Sequence, residues 1–346
     1  MPTRRYPARA TTLSGLCTAL VAAALSSPCP GESFRWVESD GALSLRWGDT
    51  EWFAYQFEPK VFEKVPKNDP RRTRSCYIHP VRGLDEEILT DDAPDDHYHH
   101  HGIFWAWPHV KIDGAEHSLW EGPDITQKFE RWISRRADGH AATLEVENAW
   151  YLHGKTKIMT ERLAITAHEQ SGDERIFDLG LTLTPVDKPI TLRGAGGKSY
   201  GGVTLRMHVW PRRDGVVTSP EGLRKHVGGG LVSKEDLSNT RLKWAALTTS
   251  IPEGPKRSGI AIMVHPDHPD YPPSWLTRSY GALCVGWPGV EEQTLEPEQS
   301  VTLRYRFRVY RGEPSVDAMQ SAYRQFLLHA EAERGAQEPP SEPCHE

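Results

Sequence analysis

The sequence predicts an all-β protein, a large antiparallel β-sandwich with one C-terminal helix. Three observations predict it. Apolar and polar residues alternate with period 2 in many segments, one segment alone shows clear helical spacing, and no strand–helix–strand succession occurs. A chain of 346 residues suits one large domain or two ordinary ones. About fifteen strand candidates follow one another with no linker before the C-terminal tail, which favours a single two-sheet sandwich.

At the N-terminus, Arg4, Arg5 and Arg9 precede an apolar run from Leu13 to Leu25 that closes on Ala24-x-Ser26. A basic segment, a short apolar segment and a small-residue end make a secretory signal peptide, with an uncleaved anchor as the alternative. The expected organisation is therefore a signal peptide over 1–26, one β domain over 27–333 and an acidic, Pro-rich tail over 334–346. It implies export to the periplasm or the extracellular space. No later segment approaches the ~20 apolar residues that a membrane-spanning helix needs.

Strands come next. Leu43, Leu45 and Trp47 alternate with Ser44 and Arg46, and further candidates are 52–57, 103–107, 129–134, 143–152 and 158–166. Phe177, Leu179, Leu181 and Leu183 alternate with polar or small residues, and candidates at 203–209, 244–249 and 260–264 lead to Val301–Val309, where apolar residues alternate with Thr302, Arg304, Arg306 and Arg308. Asp113-Gly114 and His153-Gly154 read as tight turns. From the N-cap Ser315, Val316, Met319, Ala322, Tyr323 and Phe326 share one helical face. The Gly-rich segment Gly194–Gly202 opens no helix, so it is no nucleotide loop.

Composition excludes several classes. Hydrophobic residues at 38% and charged residues at 25% describe neither a polyelectrolyte nor a membrane protein. The formal charge is −6, and loss of residues 1–26 removes three arginines and no acid. So acidic a chain lacks the basic face that nucleic acid requires. Cys29, Cys76, Cys284 and Cys344 match no zinc spacing. They fit either disulfides, Cys29 with Cys344 among them, or unpaired thiols.

Two residue types are in excess, 12 Trp and 16 His, and four of the histidines fall within His97–His101. Asp91, Asp92, Asp95 and Asp96 precede them. Imidazoles and carboxylates at this density suit either a divalent transition metal or proton transfer without one. In an extended segment His97, His99 and His101 point one way and His100 the other, so His97 and His99 are the candidate metal ligands, completed from elsewhere. A cupin-type oxygenase would place a glutamate shortly after His-x-His, and none stands there. A second constellation runs from His265-Pro266-Asp267-His268 to Trp275 and Arg278, pairing an aromatic plate with a carboxylate clamp. Lys198, Tyr200 and Arg206, around the Gly-rich segment, form a third.

The run Asp96-His97-Tyr98-His99-His100-His101-Gly102, followed by Ile103-Phe104-Trp105-Ala106-Trp107, resembles the signature of the PmoA-like domain family. Tyr77-Ile78-His79-Pro80, Thr90-Asp91-Asp92, Gly201–Arg206, His265-Pro266 and Pro273-x-Trp275 with Arg278 fit the same resemblance, which spans roughly Arg74 to Tyr310. One position departs, since the basic residue before the glycine is often Arg in the family and is His101 here. The family label "methane oxygenase PmoA" does not carry over as an activity, because methane oxidation of that name belongs to an integral membrane copper enzyme. The resemblance implies a galactose-mutarotase-like supersandwich, a fold that often handles carbohydrates.

The expected function is that of an exported carbohydrate-active enzyme working by histidine acid–base chemistry on a sugar or oligosaccharide, of epimerase, lyase or hydrolase type. His97, His99 and His100 would be catalytic, with Asp96 fixing a tautomer. Lys198, Arg206, His265, Trp275 and Arg278 would bind substrate in the same pocket. A metal-dependent, oxidative enzyme at His97 and His99 is one alternative. A non-catalytic glycan-binding protein with an exposed row of Trp is the other.

Overall fold

The computed structural model describes residues 33–337 except 123, 210–211 and 252–255. The expected signal peptide, Cys29, Cys344 and residues 338–346 of the expected tail lie outside the described residues. Two nine-stranded antiparallel sheets form the molecule. The first runs in the order Phe34–Ser39, Ala42–Trp47, Thr50–Gln56, Tyr77–Val81, Ile103–Ala106, Gly202–Arg206, Ala282–Gly286, Ser274–Arg278, Ser238–Arg241. The second runs Ile125–Ala137, Ala141–Leu152, Thr156–His168, Glu174–Pro185, Val301–Arg311, Arg257–Val264, Trp244–Ser250, Val216–Ser219, Gly222–Lys225. A four-stranded sheet containing His109–Ile112 and Ile190–Arg193 lies beside them. The sandwich class that the alternation predicts is the one observed.

The alternation becomes burial directly. Along Glu174–Pro185 every second residue is buried, and Phe177 meets Phe53 of the facing sheet with ring centroids 4.9 Å apart. Trp107 and Trp150 meet across the same interior at 5.3 Å. Asp113-Gly114 and His153-Gly154 turn with positive φ at both residues, as a right-twisted hairpin requires.

The helix Val316–Gln337 starts at Ser315, whose Oγ accepts from the Ala318 N–H at 3.2 Å. Its Met319, Tyr323 and Phe326 cover Trp244, Ala261 and Met263 on the outer side of the second sheet. That cover explains why Trp244–Ser250 and Arg257–Val264 are buried on both faces. The helix continues four residues past the point where the Glu- and Pro-rich tail was expected to begin.

The centre of the first sheet is also buried on both faces. Its outer side lies under the loop between Asp92 and His101. Residues directly opposite across neighbouring strands share a face, so the row Arg206, Ala282, Arg278 looks outward to that loop. Trp275, three residues before Arg278 on the same strand, looks inward. Cys76 and Cys284 are buried free thiols. No helix among the described residues is long and apolar enough to cross a membrane.

Candidate functional site

The histidine-rich loop is closed by an antiparallel bridge between Asp92 and His101. Within it, two successive turns place the His97 N–H on Pro94 O at 2.9 Å and the His100 N–H on His97 O at 3.0 Å. The period is therefore three, not two. His97 stacks on His100, with ring centroids 4.6 Å apart and planes 8° from parallel, while His99 stands perpendicular to both. The expected alternation of His97, His99 and His101 against His100 is overturned because turns, not a strand, carry these residues. Gly102 ends the loop at φ +39°, and a Cβ there would lie 2.0 Å from Ile78 O.

Two carboxylates organise the imidazoles. Asp96 receives both Nη2 contacts of Arg206, at 2.7 and 2.9 Å, and its Oδ2 lies 3.0 Å from His97 Nδ1. Burial pushes the Asp96 carboxyl up, but His97 and the guanidinium outweigh it and hold it below its ordinary range. Asp92 meets His101 Nδ1 with Oδ1 at 2.8 Å, while Oδ2 accepts from Lys60 Nζ at 2.8 Å and the Tyr77 hydroxyl at 3.1 Å. Burial raises that carboxyl too, yet His101, His79 and Lys60 bring it far below its ordinary range. An ionised Asp92 only accepts, so the proton of neutral His101 sits on Nδ1 and its free lone pair on Nε2.

His99 and His101 share the wall of a cleft of about 270 Å³ with Arg71, Arg74, Trp120, Gln127 and Lys128. Burial, His97 and Arg71 lower His99 to about 3, and burial lowers His101 despite Asp92. Behind the cleft a chain of hydrogen bonds runs into the sandwich. Arg74 Nη2 donates to Gln127 Oε1 at 2.6 Å, and Gln127 Nε2 donates to Glu161 Oε2 at 2.8 Å. Trp150 Nε1 and Asn148 Nδ2 also donate to Glu161, at 2.6 and 2.8 Å. Burial raises the Glu161 carboxyl although these three donors oppose it.

Of the predicted site residues, His97, His99, His100, Asp96 and Arg206 come together, and the rest do not join them. His100 lies under the loop, against Phe104 and His97, and does not line the cleft. Arg206 is spent on Asp96 beneath Tyr280, so it builds the loop and has no reach to a substrate. Trp275 is wholly buried, its indole N–H on Leu242 O at 2.8 Å, and no face is free to stack on a sugar. Arg278 shares the sheet face of Arg206, yet its guanidinium donates to Leu237 O, Thr277 O and Ser238 Oγ. His265 stands at the second sheet beside Phe326 of the helix, and exposed Lys198 sits in a turn of the Gly-rich loop outside the cleft wall. The single pocket expected for all of them does not form.

Asp96 Oδ2 lies 3.0 Å from His97 Nδ1, and among the described residues no group of three His, Cys, Asp or Glu side chains is arranged to hold an ion. No described tryptophan is exposed either, so the row of surface Trp expected of a glycan-binding module is missing among the described residues.

Sequence reasoning does not single out Arg74, Gln127 or Glu161 as functional residues, and within the histidine and aspartate cluster it gives His101 and Asp92 no individual role. Glu161 was detectable, since it shares the inward parity of Leu163 and Ile165, where a carboxylate is out of place.

A family model described as "Family of unknown function (DUF6807)" matches residues 42–324. Comparison with curated proteins finds no match. Among solved structures, the chain is similar to the GH36 alpha-galactosidase AgaA from Geobacillus stearothermophilus, with 12% identity and a TM-score of 0.38 over 83% of this chain and 41% of that one. It is similar to the alpha-galactosidase from Lactobacillus brevis at 9% identity and TM-score 0.38, over 83% and 40%. It is also similar to a GalM/aldose epimerase homologue from C. elegans at 9% identity and TM-score 0.36, over 81% and 98%. The chain thus spans about two fifths of the length of the two galactosidases.

Proposed function

The chain belongs to the DUF6807 family, of unknown function, and from the make-up of its cleft we propose that it is a carbohydrate-active enzyme using histidine acid–base chemistry. One observation carries the reading. A carboxylate-held imidazole, His101 on Asp92, shares a cleft wall with His99, three cationic side chains, an amide and Trp120. Hydrogen-bonding groups around an aromatic edge are what a polyhydroxylated ligand needs, and a small number of convergent polar groups fixes its orientation.

His101 is the base in this reading. Its Nδ1–H stays on Asp92, so a proton taken from a sugar hydroxyl or ring carbon enters at Nε2. The imidazolium that forms is stabilised by the ionised Asp92, as in other carboxylate–imidazole pairs. His99, kept neutral by burial, accepts or donates a hydrogen bond to the same sugar. His97, Asp96, His100 and Arg206 hold the loop that delivers them.

The test is a panel of neutral and acidic mono- and oligosaccharides followed by NMR with the wild-type protein and with His101→Gln. Conversion of at least one sugar by the wild type, lost in the variant, is expected. A panel that passes through unchanged, or equal turnover by His101→Gln, removes the assignment.

A further inference from the structure

Arg74 is a half-buried cation in the wall of the cleft, with no ion-pair partner among the described residues. Its guanidinium donates to Leu119 O and Trp105 O, each at 3.2 Å, and to Gln127 Oε1 at 2.6 Å. All three acceptors are neutral. Guanidinium carries five N–H donors, so Nε and one Nη1 proton remain, and Nε is buried without any hydrogen-bond partner. No carboxylate among the described residues lies within ion-pair distance of it, although most of the protein's arginines are so paired. An unpaired charge partly withdrawn from water is costly, and one left so at a cleft wall is satisfied when a ligand brings the counter-ion.

The other basic residues of the wall are Arg71 and Lys128. Lys128, exposed at the rim, donates to Gly154 O at 3.0 Å, lies 4.5 Å from the Tyr151 ring centre and makes no ion pair among the described residues. Arg71 is held by Asp69, and Glu121 is the one carboxylate in the wall. The Arg74 side chain is also aimed. Gln127 Nε2 is fixed on Glu161, which leaves Oε1 alone to receive Arg74.

From this geometry we infer that the cleft takes a carboxylate-bearing sugar, a hexuronate unit of an acidic oligosaccharide, with its carboxylate on Arg74 and Lys128 at the entrance. The inference rests on the sugar-directed reading above and names the substrate class of that site. A carboxylate oxygen on the remaining Nη1 proton brings Arg74 the counter-charge that its three neutral acceptors do not, and no neutral hexose supplies it.

The experiment uses calorimetric titration of the full chain with hexuronate oligosaccharides of several backbones and with the same oligosaccharides after carboxyl reduction. At least one acidic form should bind about tenfold or more tighter than its reduced partner. Added salt should shrink that preference. Arg74→Gln should abolish it, and Lys128→Gln, at an exposed position that leaves the fold intact, should reduce it several-fold. If Arg74→Gln does not fold, Lys128→Gln decides, and an unchanged preference in that variant overturns the inference. Equal binding of acidic and reduced forms overturns the inference while leaving the sugar-directed reading standing. Preference for a sulfated over a carboxylated sugar also overturns it. Failure of every sugar, acidic, reduced or sulfated, to bind overturns both.

Discussion

His101 and Asp92 are joined twice, by an antiparallel backbone bridge and by side chains that meet at 2.8 Å between Nδ1 and Oδ1. The bridge fixes where both Cα atoms sit, so the imidazole–carboxylate contact does not depend on long flexible side chains. The same bridge closes the loop that carries His97, His99 and His100. One pairing therefore supplies both the loop closure and the tautomer of the cleft imidazole.

Asp92→Asn tests that pairing. An amide can accept from His101 through Oδ1, but its Nδ2 then faces the Lys60 and Tyr77 donors that Oδ2 now satisfies. The mismatch should cost about 1–3 kcal/mol of stability. Turnover of the substrate found in the sugar panel should fall by about 10²–10⁴, the usual worth of a positioned acid or base. Urea denaturation and initial rates check the two effects separately. Activity within twofold of wild type would remove Asp92 from the mechanism.

Arg206→Lys should damage the loop despite keeping the charge. Arg206 is fully buried and makes two contacts to a nearly buried Asp96, while its guanidinium lies 5.0 Å from the Tyr280 ring centre. A lysine ammonium is a point donor that can stand in for Nη2 alone, and it reproduces neither Nη1 beside His100 nor the planar group over Tyr280. A loss of about 2–4 kcal/mol is expected from urea denaturation. A double-mutant cycle with Asp96→Asn should show strong coupling, and additive losses would mean that the two residues act independently.

Stability should fall on mild acidification. Burial is the largest cause lowering His79 to about 4 and His99 and His268 to about 3, and it lowers His100 and His101 as well. In the unfolded chain these imidazoles titrate near 6.5. Below that pH the unfolded state binds protons that the folded state refuses, so stability is complete above about 6.5 and is lost as pH falls toward the folded values. Each such histidine contributes up to about 1.4 kcal/mol per pH unit within its window. The lowered Asp92 carboxyl adds its loss only further down, below its ordinary 3.8. Urea midpoints should be flat from pH 8 to 7 and drop steeply between 6 and 4. A midpoint unchanged at pH 5 would contradict the buried neutral histidines.

Trp275→Ala separates packing from recognition. The side chain fills the sandwich interior and donates to Leu242 O, so its removal should cost about 3–5 kcal/mol. Sugar affinity, measured where the variant is still folded, should match wild type. Weakened binding with unchanged stability would put the indole back in the site.

The contrast between Trp275 and Arg278 shows what the sequence held and what it did not. Once Ser274–Arg278 is a strand, an odd spacing puts the two side chains on opposite faces. The proline-rich approach hides that strand from period-2 reading, and Trp and Arg then look like loop partners. The histidine run was legible as a site because its composition is extreme, whereas its geometry was not. Pro94 and the residues after it make turns whose hydrogen bonds leave no alternating pattern. Arg74 gave no sequence signal, since its isolation depends on which carboxylates fold near it. The long strands with clean alternation, Ala141–Leu152 and Glu174–Pro185 above all, were readable because one face meets the core along their whole length.

Glu161→Gln follows from those strands. Gln127, Asn148 and Glu161 occupy inward positions on three adjacent strands, where Phe129 opposes Asn148 and Asn148 opposes Glu161. The carboxylate accepts from Trp150, Gln127 and Asn148 at once, and an amide cannot accept from all three without turning an N–H against one of them. Trp150 cannot reverse its donor, and Gln127 donates to the same Oε2, so the amide oxygen stays there and its NH₂ falls against Asn148 Nδ2. Asn148 can flip to accept, but its own NH₂ then faces the Tyr55 hydroxyl that now donates to Oδ1. Stability should fall by about 1–3 kcal/mol in urea denaturation. Preference for the acidic over the carboxyl-reduced sugar should stay near wild type, because Gln127 keeps its acceptor on residue 161 and still presents Oε1 to Arg74. A preference lost in this variant would mean that the charge of Glu161, and not its hydrogen bonds alone, holds Arg74 in place.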